Sequence, residues 1–134
     1  MNLLLAESSL LPVPCEVAVK SVIPAIRAYI AKQLTQAYNM KQTDVAGLLG
    51  ITQTAVSKYV GNVRGQALKI DQEDEIQSMM NKIASRIADK KTSGSQLTLE
   101  FCAVCRAVRR NGQMCELCKR SDPEIRRISC NVCM

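Results

Sequence analysis

The sequence predicts a mainly α fold with a small cysteine module at its C-terminal end, and three observations carry that expectation. Apolar residues recur at helical spacing in separate stretches between Pro24 and Lys90, no parallel-sheet pattern is present, and three CxxC pairs crowd residues 102 to 133. A chain of 134 residues can hold one compact domain plus a small satellite, and 47% apolar content is ordinary for a globular protein. The net charge of +6 is unevenly spread. Residues 1 to 66 carry six basic and three acidic groups, residues 67 to 100 five and six, and residues 101 to 134 seven and three. Two basic ends around a near-neutral middle favour an anionic polymer as partner. One Phe and no Trp argue against a single-strand binder built on stacked bases.

The first residues, MNLLLAESSLLPVP, have no basic start and are interrupted by Glu7. No apolar run approaches the roughly 20 residues of a membrane span, so no membrane partner and a cytoplasmic location are expected. Residues 1–12 are expected to be an N-terminal extension or the product of an upstream start. Cys15 stands alone and reads as a small buried hydrophobe. From Pro24 to Tyr38 the apolar positions Ile26, Tyr29, Ile30, Leu34 and Ala37 recur at helical spacing, and Pro24 suits a first helical turn.

The most informative stretch follows. A short helix over about Gln42 to Leu49 puts Val45, Ala46 and Leu49 on one face, with Ala46 small enough for a close helix crossing. Gly50 ends it in the left-handed conformation of a tight turn, and Ile51 is placed to plug the space between two helices. Thr52 is a good N-cap for a second helix, Gln53 to about Val60. That helix buries Ala55, Val56 and Tyr59 or Val60, leaving Gln53, Thr54, Ser57 and Lys58 outward. Such side chains suit base edges and phosphates in a major groove, where Gln can pair with adenine and Lys can reach guanine or backbone. The run Gly61-Asn62-Val63-Arg64-Gly65 reads as a phosphate-gripping loop.

On these residues the stretch resembles the Cro/repressor-like (XRE-type) helix-turn-helix family. Gln42 and Gln53 have the spacing of the paired glutamines of phage repressors in that family, where one supports the other against adenine. The resemblance implies a headpiece over residues 13–66 in which Gln53 and Thr54 read bases while Gln42, Asn62 and Arg64 hold phosphates. Thr52, Ser57 and Lys58 complete the expected DNA-facing set. A narrower likeness is to archaeal regulators with PCEVAVKSVIPAIRAYIAKQL followed by TQTAVSKY, some fused to a thiamine-phosphate synthase domain. It spans Val13 to Gly65, about two-fifths of the chain. Nothing after Gly65 looks like the synthase, so a thiamine phosphate ligand is not implied.

Residues 67–90 are expected to form one more helix, capped by Asp71, with Glu73, Asp74 and Glu75 at the positive end of its dipole. Its stripe of Ile76, Met79, Met80, Ile83 and Ile87 fits either packing on the headpiece, which is favoured, or a heptad seam for a partner helix. A homodimer is expected in either case, because two half-sites multiply the affinity of one weak reading head. Residues 91–97 read as a linker.

Residues 98–134 read as a separate module: Cys102-x2-Cys105, nine residues, Cys115-x2-Cys118, eleven residues, Cys130-x2-Cys133. Paired CxxC turns gather thiolates around a metal, and with no histidine in the chain the site is all-thiolate or uses an unusual oxygen ligand, which restricts the practical occupants to zinc or an iron-sulfur cluster. Zinc would staple a tail whose bulky apolar residues Phe101, Val104, Val108, Leu117 and Ile125 cannot build a core. Spare thiols beside a metal suit a redox sensor, and the reading leans to iron-sulfur because a short DNA-binding chain needs something to sense. The expectation is a regulator that binds double-stranded DNA and is not an enzyme. The alternative is a zinc-stapled adaptor that docks RNA polymerase or another protein. A thiol-disulfide oxidoreductase is disfavoured, since its CxxC belongs at a helix N-terminus in a strand-helix fold.

Overall fold

Helices α1 (Pro14–Lys20) and α2 (Val22–Lys32) meet at Ser21, which is buried and whose Oγ donates 2.6 Å to the Val17 carbonyl. The computed structural model describes residues 14–121 with Cys130 and Cys133; the extension at residues 1–12 and Ile125 lie outside the described residues. Val22, Ile26, Ile30 and Leu34 repeat every four residues and are fully buried, making α2 the axis of the molecule. It packs against α1 and against every later long helix described below. Pro24 falls in its first turn, where a missing N–H breaks no bond. The helix starts two residues earlier than the pattern suggested and widens into a π-helical turn at Gln33–Ala37. There Tyr38 N reaches Gln33 O and Met40 N reaches Leu34 O.

Two short helices follow, α3 (Gln42–Leu49) and α4 (Gln53–Val60). Gly50 joins them at φ +69, and Ile51 N closes the turn on Ala46 O at 3.0 Å. Val45 and Ala46 are buried, with Leu49 and Ile51 packed at the edge of the core. Beyond α4 the chain turns sharply: Val63 N and Arg64 N both bond to Lys58 O, and Asn62 takes φ +61. Gly65, at φ +79, presses on α2. A Cβ there would stand 2.6 Å from Pro24 O and 2.8 Å from Ala28 Cβ.

Helix α5 (Asp74–Ala88) begins later than expected. Glu73 occupies the N-cap position without a side-chain bond, and Asp71, the expected cap, lies in the preceding turn. Ile76, Met80, Ile83 and Ile87 are buried against α2 and α6 (Gly94–Arg110), with Met79 half-buried, so the stripe that could have served a partner helix is used inside the chain.

The expected linker at residues 91–97 is cut by α6. Ser93 Oγ accepts from Gln96 N at 3.2 Å and caps the helix, so these serines and glycine start a helix instead of spacing two modules. Val104 and Val108 are fully buried, and Met114 and Cys118 join the same core. The described part of residues 98–134 therefore shares the common core, contrary to the expectation of a module unable to build one. Leu97, Phe101, Val104 and Val108 form a helical stripe facing α5 and α2. An ion pair from Arg86 to Glu100 borders that contact. Helix α7 (Cys115–Ser121) returns to pack on α1. The fold is thus mainly α, with no strand among the described residues. Among the described residues no helix is long and apolar enough to cross a membrane.

Candidate nucleic-acid interface and thiol cluster

Helix α4 is held from beneath and free above. Ala55, Val56 and Tyr59 are buried, and the helix lies against α2; Gln53, Thr54, Ser57 and Lys58 are exposed on the other side. Thr52 Oγ1 accepts from Ala55 N at 3.0 Å, which fixes the first turn and leaves the residue at the surface. Gln53 Nε2 donates to Gln42 Oε1 at 3.2 Å, joining the first residues of α4 and α3. Asn62 and Arg64 are exposed beyond the end of α4, and the Arg64 guanidinium stands 5.9 Å from the Tyr59 ring centroid. The nominated polar residues thus line one side of α4 and its two ends, with Lys58 and Arg64 as the cations.

The cysteines gather at the opposite end of the chain. Cys102 and Cys105 lie one turn apart within α6, with Arg109 a further turn along. This CxxC is a stretch of continuous helix, not a knuckle turn. Cys115 opens α7 and Cys118 is buried beneath it; Cys130 and Cys133 are half-buried. All seven cysteines are free. Arg109 Nε donates to Cys133 Sγ at 3.2 Å, and its Nη1 lies 3.7 Å from Cys15 Sγ. Cys15 is exposed, not the buried hydrophobe expected.

The ionisation of two thiols records their neighbours. Burial pushes the Cys118 thiol up, and nearby Cys133, Cys115 and Cys130 push the same way against the charge of Arg109. Burial also pushes Cys105 up, opposed by the charge and hydrogen bond of Arg109 and reinforced by Cys102 and Cys15. Arg109 itself is held further toward its charged form, first by its bond to Cys133, with burial opposing. The Cys118 thiol thus feels Cys133, Cys115 and Cys130, and the Cys105 thiol feels Cys102 and Cys15, two electrostatic neighbourhoods on both of which Arg109 acts.

An all-sulfur donor set suits zinc or an iron-sulfur cluster. Among the described residues, no group of three or more His, Cys, Asp or Glu side chains could hold a metal ion.

Three positions that the structure singles out were not legible in the sequence: Arg109, Cys15 as its neighbour, and Gly65. Arg109 carried one usable signal, being four residues after Cys105 on what proves to be a single helix face. An open cavity of about 470 Å³ between α2, the π-helical turn and residues 65–72 is lined by Tyr29, Lys32, Gln33 and Lys69 among others, and by none of the nominated side chains. No protein-family model matches the chain, and no curated protein or solved structure matches it either.

Proposed function

We propose that this chain is a sequence-specific DNA-binding transcriptional regulator of the Cro/repressor-like helix-turn-helix kind, acting as a homodimer. The observation that carries the reading is the Gln53–Gln42 pair at the exposed start of α4. A glutamine whose amide is already oriented loses less freedom on meeting an adenine edge, where it can bond bidentately. Thr54, Ser57 and Lys58 extend the same face, and Asn62 and Arg64 supply contacts to the backbone beyond it.

The thiol-rich end is proposed as the sensing centre. Cys115, Cys118, Cys130 and Cys133 are the proposed ligand set, carried by their two CxxC spacings, with the Cys118 thiol feeling the other three. Zinc there would staple the tail, whereas an iron-sulfur cluster would make the centre responsive to redox state. Cys102 and Cys105 stand apart from that set, on α6.

The test is selection of duplexes from a random library by the purified chain, repeated with Gln53→Ala. Enrichment of one sequence that Gln53→Ala loses supports the regulator. Binding indifferent to sequence would sink it and favour the adaptor docking RNA polymerase or another protein.

A further inference from the structure

We infer that Cys15 is a seventh member of the thiol centre, and that a peroxide joins it to Cys133 in a disulfide tying α1 to the C-terminal tail. The inference deepens the sensing role proposed above and rests on it only for the consequence to DNA binding.

The argument starts from Arg109. One guanidinium touches Cys133 at 3.2 Å and Cys15 at 3.7 Å, so thiols 118 positions apart in sequence (133 minus 15) share one partner. Cys15 is exposed on α1, and α1 packs on α7, the helix that carries the neighbouring CxxC pair. Cys105 is the rival partner. It lies mid-helix on α6, one turn before Arg109, and Cys15 is among the groups acting on its thiol, so the peptide map below decides between the two. Cys133 lies in a turn outside the described helices, and its sulfur accepts from the same guanidinium that reaches Cys15.

The chemistry balances with hydrogen peroxide as oxidant. The Cys133 sulfur attacks the O–O bond, forming a sulfenic acid and releasing one water; the Cys15 sulfur then displaces the hydroxyl as a second water. Two thiols are oxidised to one disulfide, the peroxide is reduced to two waters, and both thiol protons leave in those waters. Because α1 packs directly on α2, which also packs on α4, the new bond constrains the helix beneath the proposed reading head.

The test uses the full-length reduced chain, one equivalent of hydrogen peroxide, alkylation of the remaining thiols and trypsin digestion under non-reducing conditions. The seven cysteines fall in four separate peptides, 1–20, 92–106, 111–119 and 128–134. The expected product is peptide 1–20 joined to 128–134. It persists in Cys130→Ser, disappears in Cys15→Ser and Cys133→Ser, and forms severalfold more slowly in Arg109→Lys. Cys15 left alkylated while the tail cysteines pair with one another, or joined instead to peptide 92–106, overturns the inference. The peptide map is read without DNA, so its failure is separate from any failure of the regulator reading.

Discussion

Gln53 Nε2 donates to Gln42 Oε1 across 3.2 Å, so the residue proposed to read a base is braced by a residue of the preceding helix. Gln53→Ala is expected to remove about 1–3 kcal/mol of discrimination between the selected duplex and a scrambled one. Arg64→Ala is expected to weaken both duplexes alike and to lower the salt slope by about 1. Fluorescence anisotropy on both duplexes over a salt series measures each effect. Equal losses of specificity from the two variants would contradict the division of roles.

Two glycines separate steric need from mere tolerance. Gly65 sits at φ +79 with Pro24 O and Ala28 Cβ inside contact distance of any added Cβ, and the nearest obstacle is helix backbone, which cannot swing aside. Gly65→Ala is expected to cost about 2–4 kcal/mol, from strain and overpacking together. Gly47 lies within α3 with nothing inside 4 Å of an added Cβ. Gly47→Ala should therefore stabilise by about 0.5–1 kcal/mol, the cost of glycine in a helix. Urea unfolding of the two variants beside the parent chain decides both, and a neutral Gly65→Ala would show that the loop does not need its contact with α2.

The contrast between these sites explains what sequence alone could deliver. The α3–Gly50–α4 segment was legible because its signals are local: a 3.6-residue period, a glycine at a left-handed position and a threonine cap each act within a few residues. Helix α6 was hidden because Ser93 and Gly94 are as suitable for a helix start as for a linker, and only burial of Val104 and Val108 against α5 and α2 decides between them. The bond from Arg109 to Cys133 and its approach to Cys15 depend on how the chain ends fold back, which no local pattern encodes. The demand for glycine at position 65 likewise comes from a helix some forty residues earlier.

Tyr29 offers a pH signature. Its hydroxyl donates to Asn81 Oδ1 at 2.7 Å, linking α2 to α5, and burial raises its ionisation above the ordinary phenol value of 10.0, with hydrogen bonding from Gln33 opposing. A raised folded value means the contribution is whole below the unfolded value and is lost as pH climbs through the folded one. Tyr29→Phe is expected to cost about 1 kcal/mol near neutral pH and to flatten the alkaline decline. Cys105 and Cys118 are raised by burial as well and share the sign, with their window opening above 9.0, so the parent chain should begin to lose stability first there. Urea midpoints of parent and variant across the alkaline range isolate the tyrosine part; parallel declines would remove Tyr29 from the account.

The two sulfur neighbourhoods make a final prediction about metal. If the proposed centre uses the neighbourhood of Cys118, then Cys118→Ser combined with Cys133→Ser should abolish tight metal uptake, while Cys102→Ser leaves the bound amount unchanged. Cys118 is buried in the core, so its replacement also tests packing; the half-buried pair Cys115→Ser and Cys130→Ser provides the same comparison with less disturbance. Anaerobic purification, an absorption spectrum and metal analysis on one sample give the identity. Iron and sulfide with broad visible absorption mark a cluster, and a colourless chain with one zinc marks a staple. Chelation should then lower thermal stability and loosen α7 from α1, since the thiols that the metal gathers include those flanking that contact. Metal that follows Cys102 and Cys105 instead would move the centre onto α6 and overturn the assignment.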